Sequence, residues 1–280
     1  MLWEHIRCEE FRDEVEKCNR VCVIPIGCVE AHGVHLPLGC DNFIAREFCI
    51  RAAEINPVCI FPTLPFGEKC GAGEFDGTII FPHSLVIKIL EQCCEEAARN
   101  GFKKILILSG HGGNANIING FLRGVLFKKP DYLVYHYNQN LTTPAELLKE
   151  VDKYPYLTQE DISILHEYAD NRIQDGHGGF SESGELYDIC PELVRLDRMD
   201  ALDSKNTHRF DEFSKRGIIS SFNWMGNYPN SYGSEKHDGL NERIAKALAQ
   251  KTVETTAEVF RFLREENISD EYQREWMAKQ

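Results

Sequence analysis

The sequence contains no Cys-x-x-Cys pair, although eleven of its 280 residues are cysteine. Without such a pair, neither a zinc ribbon nor a thioredoxin-like redox motif is expected. The cysteines are scattered through apolar segments instead. We interpret them as small buried hydrophobic residues of a protein that works in the reducing cytoplasm.

The chain is also short of basic residues and of long apolar runs. It carries 31 Lys and Arg against 44 Asp and Glu, which gives a formal net charge of −13. This acidity argues against a nucleic-acid partner, because such a partner requires a basic patch. No apolar run reaches the length of a membrane span, and the acidic N-terminal segment lacks the apolar core of a signal peptide. We therefore expect a cytoplasmic protein that binds neither nucleic acid nor membrane.

A dense polar cluster follows the first apolar run of the chain. Residues 21–27 predict a buried strand, and Glu30, His32, His35 and Asp41 come soon after it. In open α/β sheets, ligands bind at the carboxyl ends of the strands. Carboxylate oxygens and neutral imidazole nitrogens at this edge would together hold two divalent metal ions. The alternative is a polar loop whose His and Asp only cap a helix.

A second polar segment follows another predicted strand, at residues 104–109. Here His111 lies in a Gly-His-Gly-Gly-Asn turn, and the residues after it have helical spacing, with Asn114 or Asn116 as the predicted N-cap. His111 is thus predicted at a strand-to-helix turn. A phosphate-binding loop at this helix N-terminus is disfavoured, because both common nucleotide-binding glycine patterns are absent.

A third polar cluster contains His177, Glu182 and Glu185. The two glutamates are three residues apart, so they would share one face of a helix. Acidic residues at a helix N-terminus, favoured by the helix dipole, are the simpler explanation. That explanation accounts for Glu185, which we interpret as a helix-end charge, but it does not account for a histidine between glycines.

Together these segments resemble the creatininase superfamily of dinuclear metal amidohydrolases. The family pattern Gly-[Ser]-x-Glu-x-His-Gly-x-His-Leu-Pro-x-x-x-Asp matches residues 27–41, and the Asn-Gly-His-Gly-Gly-Asn pattern matches residues 109–114. A third pattern matches residues 177–184 and 190–194, and the matches run in family order over residues 21–245. Members of this superfamily hydrolyse creatinine, a formamidopyrimidine nucleotide or the mycofactocin precursor peptide.

The resemblance implies a creatininase-like three-layer α/β/α fold. Alternating strand and helix patterns independently predict an α/β protein, with a mainly parallel sheet flanked by helices on both faces. We expect a single domain over residues 1–280, which closes with a helix and polar tail at residues 241–280. The resemblance also implies a homo-oligomer, specifically a hexamer, which light scattering would test.

The resemblance further implies five metal ligands, namely Glu30, His32, Asp41, His111 and Glu182. Asp41 would bridge two divalent ions, with Glu30 and His111 completing one ion and His32 and Glu182 the other. Zinc is the first choice, and manganese or iron are alternatives, because mixed oxygen and nitrogen ligation suits all three. A hydroxide held between the ions would attack the carbonyl carbon of an amide.

The remaining candidate residues surround these ligands. His177 is the candidate to carry a proton to the leaving nitrogen, or else it is a structural histidine bonded to the backbone. His35 is expected to orient a ligand, and Phe180 to form an apolar wall of the pocket. Backbone and amide donors to the substrate are expected from Gly112, Gly113 and Asn114.

The expected substrate is a small molecule with a non-peptide or cyclic amide bond, and creatinine is not favoured. The family enzyme that hydrolyses creatinine has a carboxylate at the position of Gly113 and tryptophans near the third block. None of the three tryptophans lies there in this sequence: Trp3, Trp224 and Trp276.

Other classes of function remain open. The chain could be a catalytically silent binding protein, a peptidase acting on a short peptide, or a nucleotide-binding protein of similar fold. A metal phosphoesterase could use the same ions, but it would require Lys or Arg near the phosphate, and the three blocks contain neither.

Overall fold

Four parallel strands form the central sheet of this computed structural model, which describes residues 1–69, 71–170, 173–235 and 238–279. The strands are β1 (Val21–Ile26), β2 (Cys59–Ile60), β3 (Lys104–Ser109) and β4 (Leu133–Asn138). Their order across the sheet is β2-β1-β3-β4. Ile26 pairs with Ser109, so β1 and β3 end side by side. The loops that follow these two strands therefore meet at one edge of the sheet.

Helices connect and cover the strands. In chain order they are α1 (Phe11–Lys17), α2 (Cys40–Ile55), α3 (His83–Arg99), α4 (Asn114–Val125), α5 (Pro144–Leu148), α6 (Gln159–Asp170), α7 (Phe180–Ile189), α8 (Asp211–Ser214), α9 (Asn223–Asn227), α10 (Glu242–Glu265) and α11 (Ile268–Ala278). Among the described residues, none of these helices combines the length and the apolar character needed to cross a membrane.

Alternate residues of the central strands point to opposite faces of the sheet. Ile24 and Ile105 pack with apolar residues of α3 and α4 on one face. Val23 and Leu106 pack with α2 and α10 on the other face. All six residues of β1 are buried, as expected for a strand covered on both sides. The predicted parallel sheet with helices on both faces is confirmed.

The C-terminal segment differs from the predicted polar tail. Residues beyond α10 form α11, and the amide of Gln273 donates to the carbonyl oxygens of Pro130 and Tyr132 at 2.9 and 3.1 Å. These bonds hold α11 beside the segment that leads into β4. No residue of α11 is buried, so the polar residues that predicted a tail lie on an exposed helix.

The cysteines largely behave as small core residues. Eight of those described are buried, whereas Cys8 is exposed and Cys93 is half-buried. Cys70 lies outside the described residues.

Candidate metal centre

Five side chains from separate segments converge where β1 and β3 end. Glu30 and His32 lie in the loop after β1, Asp41 in the first turn of α2, His111 in the turn between β3 and α4, and Glu182 in the first turn of α7. All five are buried. The structure therefore brings together every ligand residue that the sequence predicted.

Asp41 lies between two groups of potential ligand atoms. Its Oδ2 is 3.1 Å from His111 Nδ1, which is itself 2.9 Å from Glu30 Oε1. Its Oδ1 is 3.1 Å from His32 Nε2, which is 3.6 Å from Glu182 Oε1. Within each group the potential ligand atoms lie no more than 4.8 Å apart. The two groups correspond to the predicted division of ligands, with Asp41 common to both.

The orientation of His32 fits the role of a metal ligand. Its Nδ1 lies 3.1 Å from the carbonyl oxygen of Glu30, which can only accept a hydrogen bond. Nδ1 therefore carries a proton, and Nε2 is the nitrogen that faces the carboxylates of Asp41 and Glu182. Metal-binding histidines are commonly fixed in this way by an acceptor on the far side of the ring.

Three buried carboxylates in one cluster require compensating positive charge. Burial alone would raise the pKa of Glu30, but the bond from His111 and the nearby imidazoles hold that pKa well below its usual range. Burial likewise disfavours the charged form of His111, yet Asp41 and Glu30 raise its pKa to about 10. Two divalent cations would supply the same compensation and leave both rings as neutral ligands, so the donor set fits a dinuclear metal centre.

Two cysteines extend these groups. The thiol of Cys28 donates to Asp41 Oδ2 at 2.9 Å and lies 3.3 Å from Glu30 Oε1, while Cys40 belongs to the other group. Burial and the adjacent carboxylates raise the pKa of both thiols. Cys28 thus acts as a hydrogen-bond donor that orients the carboxylates of Asp41 and Glu30.

His35 supports Glu182 through the turn before α7. Its Nε2 lies 2.8 Å from the carbonyl oxygen of Gly178 and 3.0 Å from the hydroxyl of Ser183. The N–H of Gly178 in turn donates to Glu182 Oε2 at 2.5 Å. His35 therefore lies where a residue that orients a ligand is expected.

His177 lies against the ring of His32, outside the two groups that share Asp41, and forms a third potential ligand group with Glu30 and His32. The two rings are stacked with centroids 4.0 Å apart, and His177 Nε2 lies 2.8 Å from the carbonyl oxygen of Ala31. Nε2 therefore donates, and Nδ1 is the nitrogen that can accept a proton. Burial and the neighbouring His32 lower the pKa of His177, so the ring is neutral. This geometry is compatible with both the proton-transfer role and the structural role.

The interpretation of Glu185 as a helix-end charge is wrong. Its side chain is fully buried, and its Oε1 accepts hydrogen bonds from the N–H of Thr142 at 3.0 Å and the hydroxyl of Thr252 at 2.6 Å. Burial raises the pKa of Glu185 to about 8. Glu182 faces the ligand cluster, whereas Glu185 joins α7 to α10 and to the loop after β4.

The prediction of an apolar pocket wall at Phe180 is also wrong. Phe180 is fully buried in the core, where its ring lies 4.1 Å from the ring of Tyr168. Phe180 belongs to an apolar cluster that includes Leu165, Tyr168 and Leu248, so it does not reach the cavity.

Asn114 is buried behind the turn that carries His111. Its side-chain oxygen accepts from the N–H of Glu68 at 2.6 Å, and its amide donates to Ser109 Oγ at 3.1 Å. Neither predicted asparagine caps α4, because the N-cap is Gly113 and no side chain bonds the first turn. Asn114 therefore ties three segments together behind the ligand cluster.

A cavity of about 760 Å³ opens over the ligand cluster. Gly112 and Gly113 line it together with His177, as the sequence predicted. Glu68, Lys69 and Trp224 also line the cavity, although they lie far from the three sequence blocks. A cavity of this volume is in the range of small-molecule sites.

Trp224 supplies the aromatic wall that the third sequence block lacks. Its ring packs edge-on against His177, with centroids 5.1 Å apart. Glu68 likewise supplies a carboxylate next to Gly113, where the sequence has no side chain. Both groups whose absence argued against creatinine are therefore present at the site, although other segments of the chain provide them.

Gly113 leaves the space that Glu68 occupies. A Cβ at residue 113 would lie 2.4 Å from His111 Nε2 and 2.5 Å from Glu68 Oε2, so both groups or the turn itself would have to move. We expect Gly113→Ala to weaken metal binding by roughly 10- to 100-fold, the usual effect of disturbing groups around a ligand. Competition with a chromophoric chelator measures this affinity.

The adjacent Gly112→Ala is the matched control, because a Cβ there meets no heavy atom within 4 Å. Its metal affinity should equal that of the unmodified chain. Equal affinities for the two alanine variants would contradict the steric role of Gly113.

Comparisons with known proteins agree with this geometry. The family model described as Creatininase: Creatinine amidohydrolase matches residues 4–260. The chain is 24% identical to creatinine amidohydrolase of Pseudomonas putida over 196 residues, which covers 68% of this chain and 72% of that protein. It is 24% identical over 214 residues to mycofactocin precursor peptide peptidase of Mycobacterium ulcerans, covering 73% of this chain and 72% of that protein.

Solved structures show the same fold. A manganese form of creatininase superposes with a TM-score of 0.70 at 19% identity and covers 95% of this chain and 99% of that chain. A mutant creatininase of the Zn-Zn type superposes with a TM-score of 0.68, also at 19% identity, and covers 95% of this chain and 98% of that chain.

Proposed function

This chain belongs to the creatininase family and is a hydrolase that acts on C–N bonds, and from that premise we propose that it is a metal-dependent amidohydrolase. The observation that carries the proposal is the pair of ligand groups that share Asp41. Glu30 and His111 lie on one side of this carboxylate, and His32 and Glu182 on the other. We propose that they hold two divalent ions, with zinc as the first choice and manganese or iron as alternatives.

The ions, when bound, would supply Lewis acidity and lower the pKa of water toward neutrality. The chain's own residues would then bind, orient and protonate the substrate. His177 is neutral and its Nδ1 is free of the bond to Ala31, so it is suited to move a proton to the leaving nitrogen. The backbone at Gly112 and Gly113 lines the cavity, where it would contact the substrate.

We propose a small-molecule substrate with a non-peptide or cyclic amide bond. A short peptide is the second candidate, because a relative of comparable identity is named as a peptidase. The sequence-based argument against creatinine loses its basis, since Glu68 and Trp224 lie at the site. Creatinine therefore belongs in the same activity screen as formamides, cyclic ureas and short peptides.

Metal content tests the proposal directly. We expect close to two divalent ions per chain in protein purified without chelator, because the five donor residues form two buried groups that share Asp41. Elemental analysis by mass spectrometry measures this number. Hydrolysis in the screen should be lost with chelator and restored by zinc or manganese. Protein that binds no transition metal even after reconstitution would refute the proposal.

A further inference from the structure

Lys69 places a positive charge directly beside the candidate metal centre. Its side chain is only 9% exposed, and its ammonium forms an ion pair with Glu30 and lies 4.9 Å from the ring centroid of Trp224. It is the single Lys or Arg among the cavity-lining residues that the structure describes. Burial of an ammonium is costly, and these two partners offset the cost.

The residues before Lys69 fix its position. The N–H of Glu68 donates to Asn114 Oδ1 at 2.6 Å. A Cβ at Gly67 would lie only 2.2 Å from Asn114 Oδ1 and from the carbonyl oxygen of Gly27, so only glycine fits there. The segment is therefore attached to the end of β1 and the start of α4, which flank the ligand cluster.

The partner of Lys69 is itself a proposed metal ligand. A divalent cation at Glu30 would compete with Lys69 for the charge of that carboxylate. Glu68, the acidic residue next to Lys69, pairs with His83 at 3.0 Å. The ammonium of Lys69 is then available to a negatively charged group of a bound molecule.

We propose that Lys69 determines specificity and that the substrate carries a carboxylate close to its scissile C–N bond. This inference rests on the proposed amidohydrolase function. The carboxylate belongs to the reacting end of the substrate, because Lys69 contacts a ligand of the metal centre. One ammonium beside an acidic cluster offsets one negative charge, which favours a carboxylate over a phosphate dianion. The ring of Trp224 would cover the adjoining planar part of the substrate.

A matched pair of probes tests this specificity: N-acetylglycine, and N-acetylglycinamide, which lacks the carboxylate. Isothermal titration measures their binding to the zinc-loaded wild type and to Lys69→Met and Lys69→Arg. We expect the wild type to bind the acid about tenfold more tightly than the amide, the effect of one charge-assisted hydrogen bond. Lys69→Met should lose this preference, and Lys69→Arg should keep part of it.

Lys246→Met is the matched control, because it removes an ammonium that lies at the same 4.9 Å from a ring, that of Tyr156. It should bind both probes as the wild type does. Inorganic phosphate is a third probe. The assignment of a carboxylate would be overturned if the wild type bound phosphate more tightly than the acid and Lys69→Met lost this phosphate binding.

Zinc content, measured for each variant, separates the two hypotheses. A wild type that takes up no zinc contradicts the proposed function. A zinc-loaded wild type that shows no preference for the acid, or binds neither probe, overturns the carboxylate assignment. If zinc-loaded Lys69→Met still binds the acid more tightly than the amide, the metal ions and not Lys69 bind the carboxylate. Loss of zinc from Lys69→Met would show that Lys69 only orients Glu30. Both of these last results overturn the specificity role.

Discussion

Asp41→Ala is expected to remove both metal ions from the protein and to abolish hydrolysis. The two carboxylate oxygens of Asp41 face different ligand groups, with Oδ1 toward His32 and Oδ2 toward His111. Its loss therefore leaves each group one ligand short. Hydrolysis should fall on the order of 1,000-fold or more, because the ions activate the nucleophile and stabilise the developing charge. Elemental analysis and the rate on the best screened substrate measure the two effects.

Variants of the other ligands provide the comparison. Glu30→Ala and Glu182→Ala each alter one group, so each should lose mainly one ion. Asp41→Asn, which keeps the side-chain shape, should resemble Asp41→Ala in metal content while it unfolds at nearly the temperature of the metal-free wild type. An Asp41→Ala protein that keeps two ions, or equal metal loss in all of these variants, would contradict the bridging role.

The ligand positions could be predicted because each lies close to the end of a strand or at the start of a helix. Apolar runs locate β1 and β3, and parallel strands end at one edge of the sheet, so the clusters containing Glu30 and His111 had to meet. Glu182 lies at the start of a helix that follows a glycine-rich turn. Local patterns of this kind placed the polar clusters, whereas the choice of five ligands among their residues came from the resemblance to the creatininase superfamily.

The groups around the ligands could not be predicted in this way. Lys69 and Glu68 lie in the irregular segment between β2 and α3, and Trp224 lies in the short helix α9. No periodicity marks such segments, and their position depends on long-range contacts such as the bond from Glu68 to Asn114. Proximity in sequence to a block was therefore a poor guide to which carboxylate, cation or aromatic ring enters the cavity.

Phe180 and Glu185 show a second limit of sequence reasoning. Both lie in α7, and both are fully buried, one in an apolar cluster and the other against Thr252 of α10. Residues three apart share a helix face only approximately. Glu182 and Glu185 therefore point in different directions from α7. Glu182 lies at the cavity, whereas Glu185 lies in the core against α10.

The free energy of unfolding should depend on pH through Glu185. Folding raises its pKa from 4.5 to about 8, because the carboxyl is buried away from any cation. Between these pH values the folded protein binds more protons than the unfolded chain, so the contribution of Glu185 to stability falls as pH rises. The fall is at most about 5 kcal/mol, since each pKa unit corresponds to about 1.4 kcal/mol. Urea unfolding of metal-free protein at a series of pH values measures it.

Two substitutions separate the charge of Glu185 from its packing. Glu185→Gln keeps the acceptor for Thr142 and Thr252 but cannot ionise, so its stability relative to the wild type should rise steadily from pH 5 to pH 8. Glu185→Ala should lose about 2–4 kcal/mol already at pH 6, because it leaves a cavity and the buried N–H of Thr142 without its acceptor. Glu258→Gln, on the exposed side of α10, is the control and should change stability by less than about 0.5 kcal/mol. Parallel pH profiles for the wild type and Glu185→Gln would show that Glu185 is ionised in the folded protein, contrary to the effect of its burial.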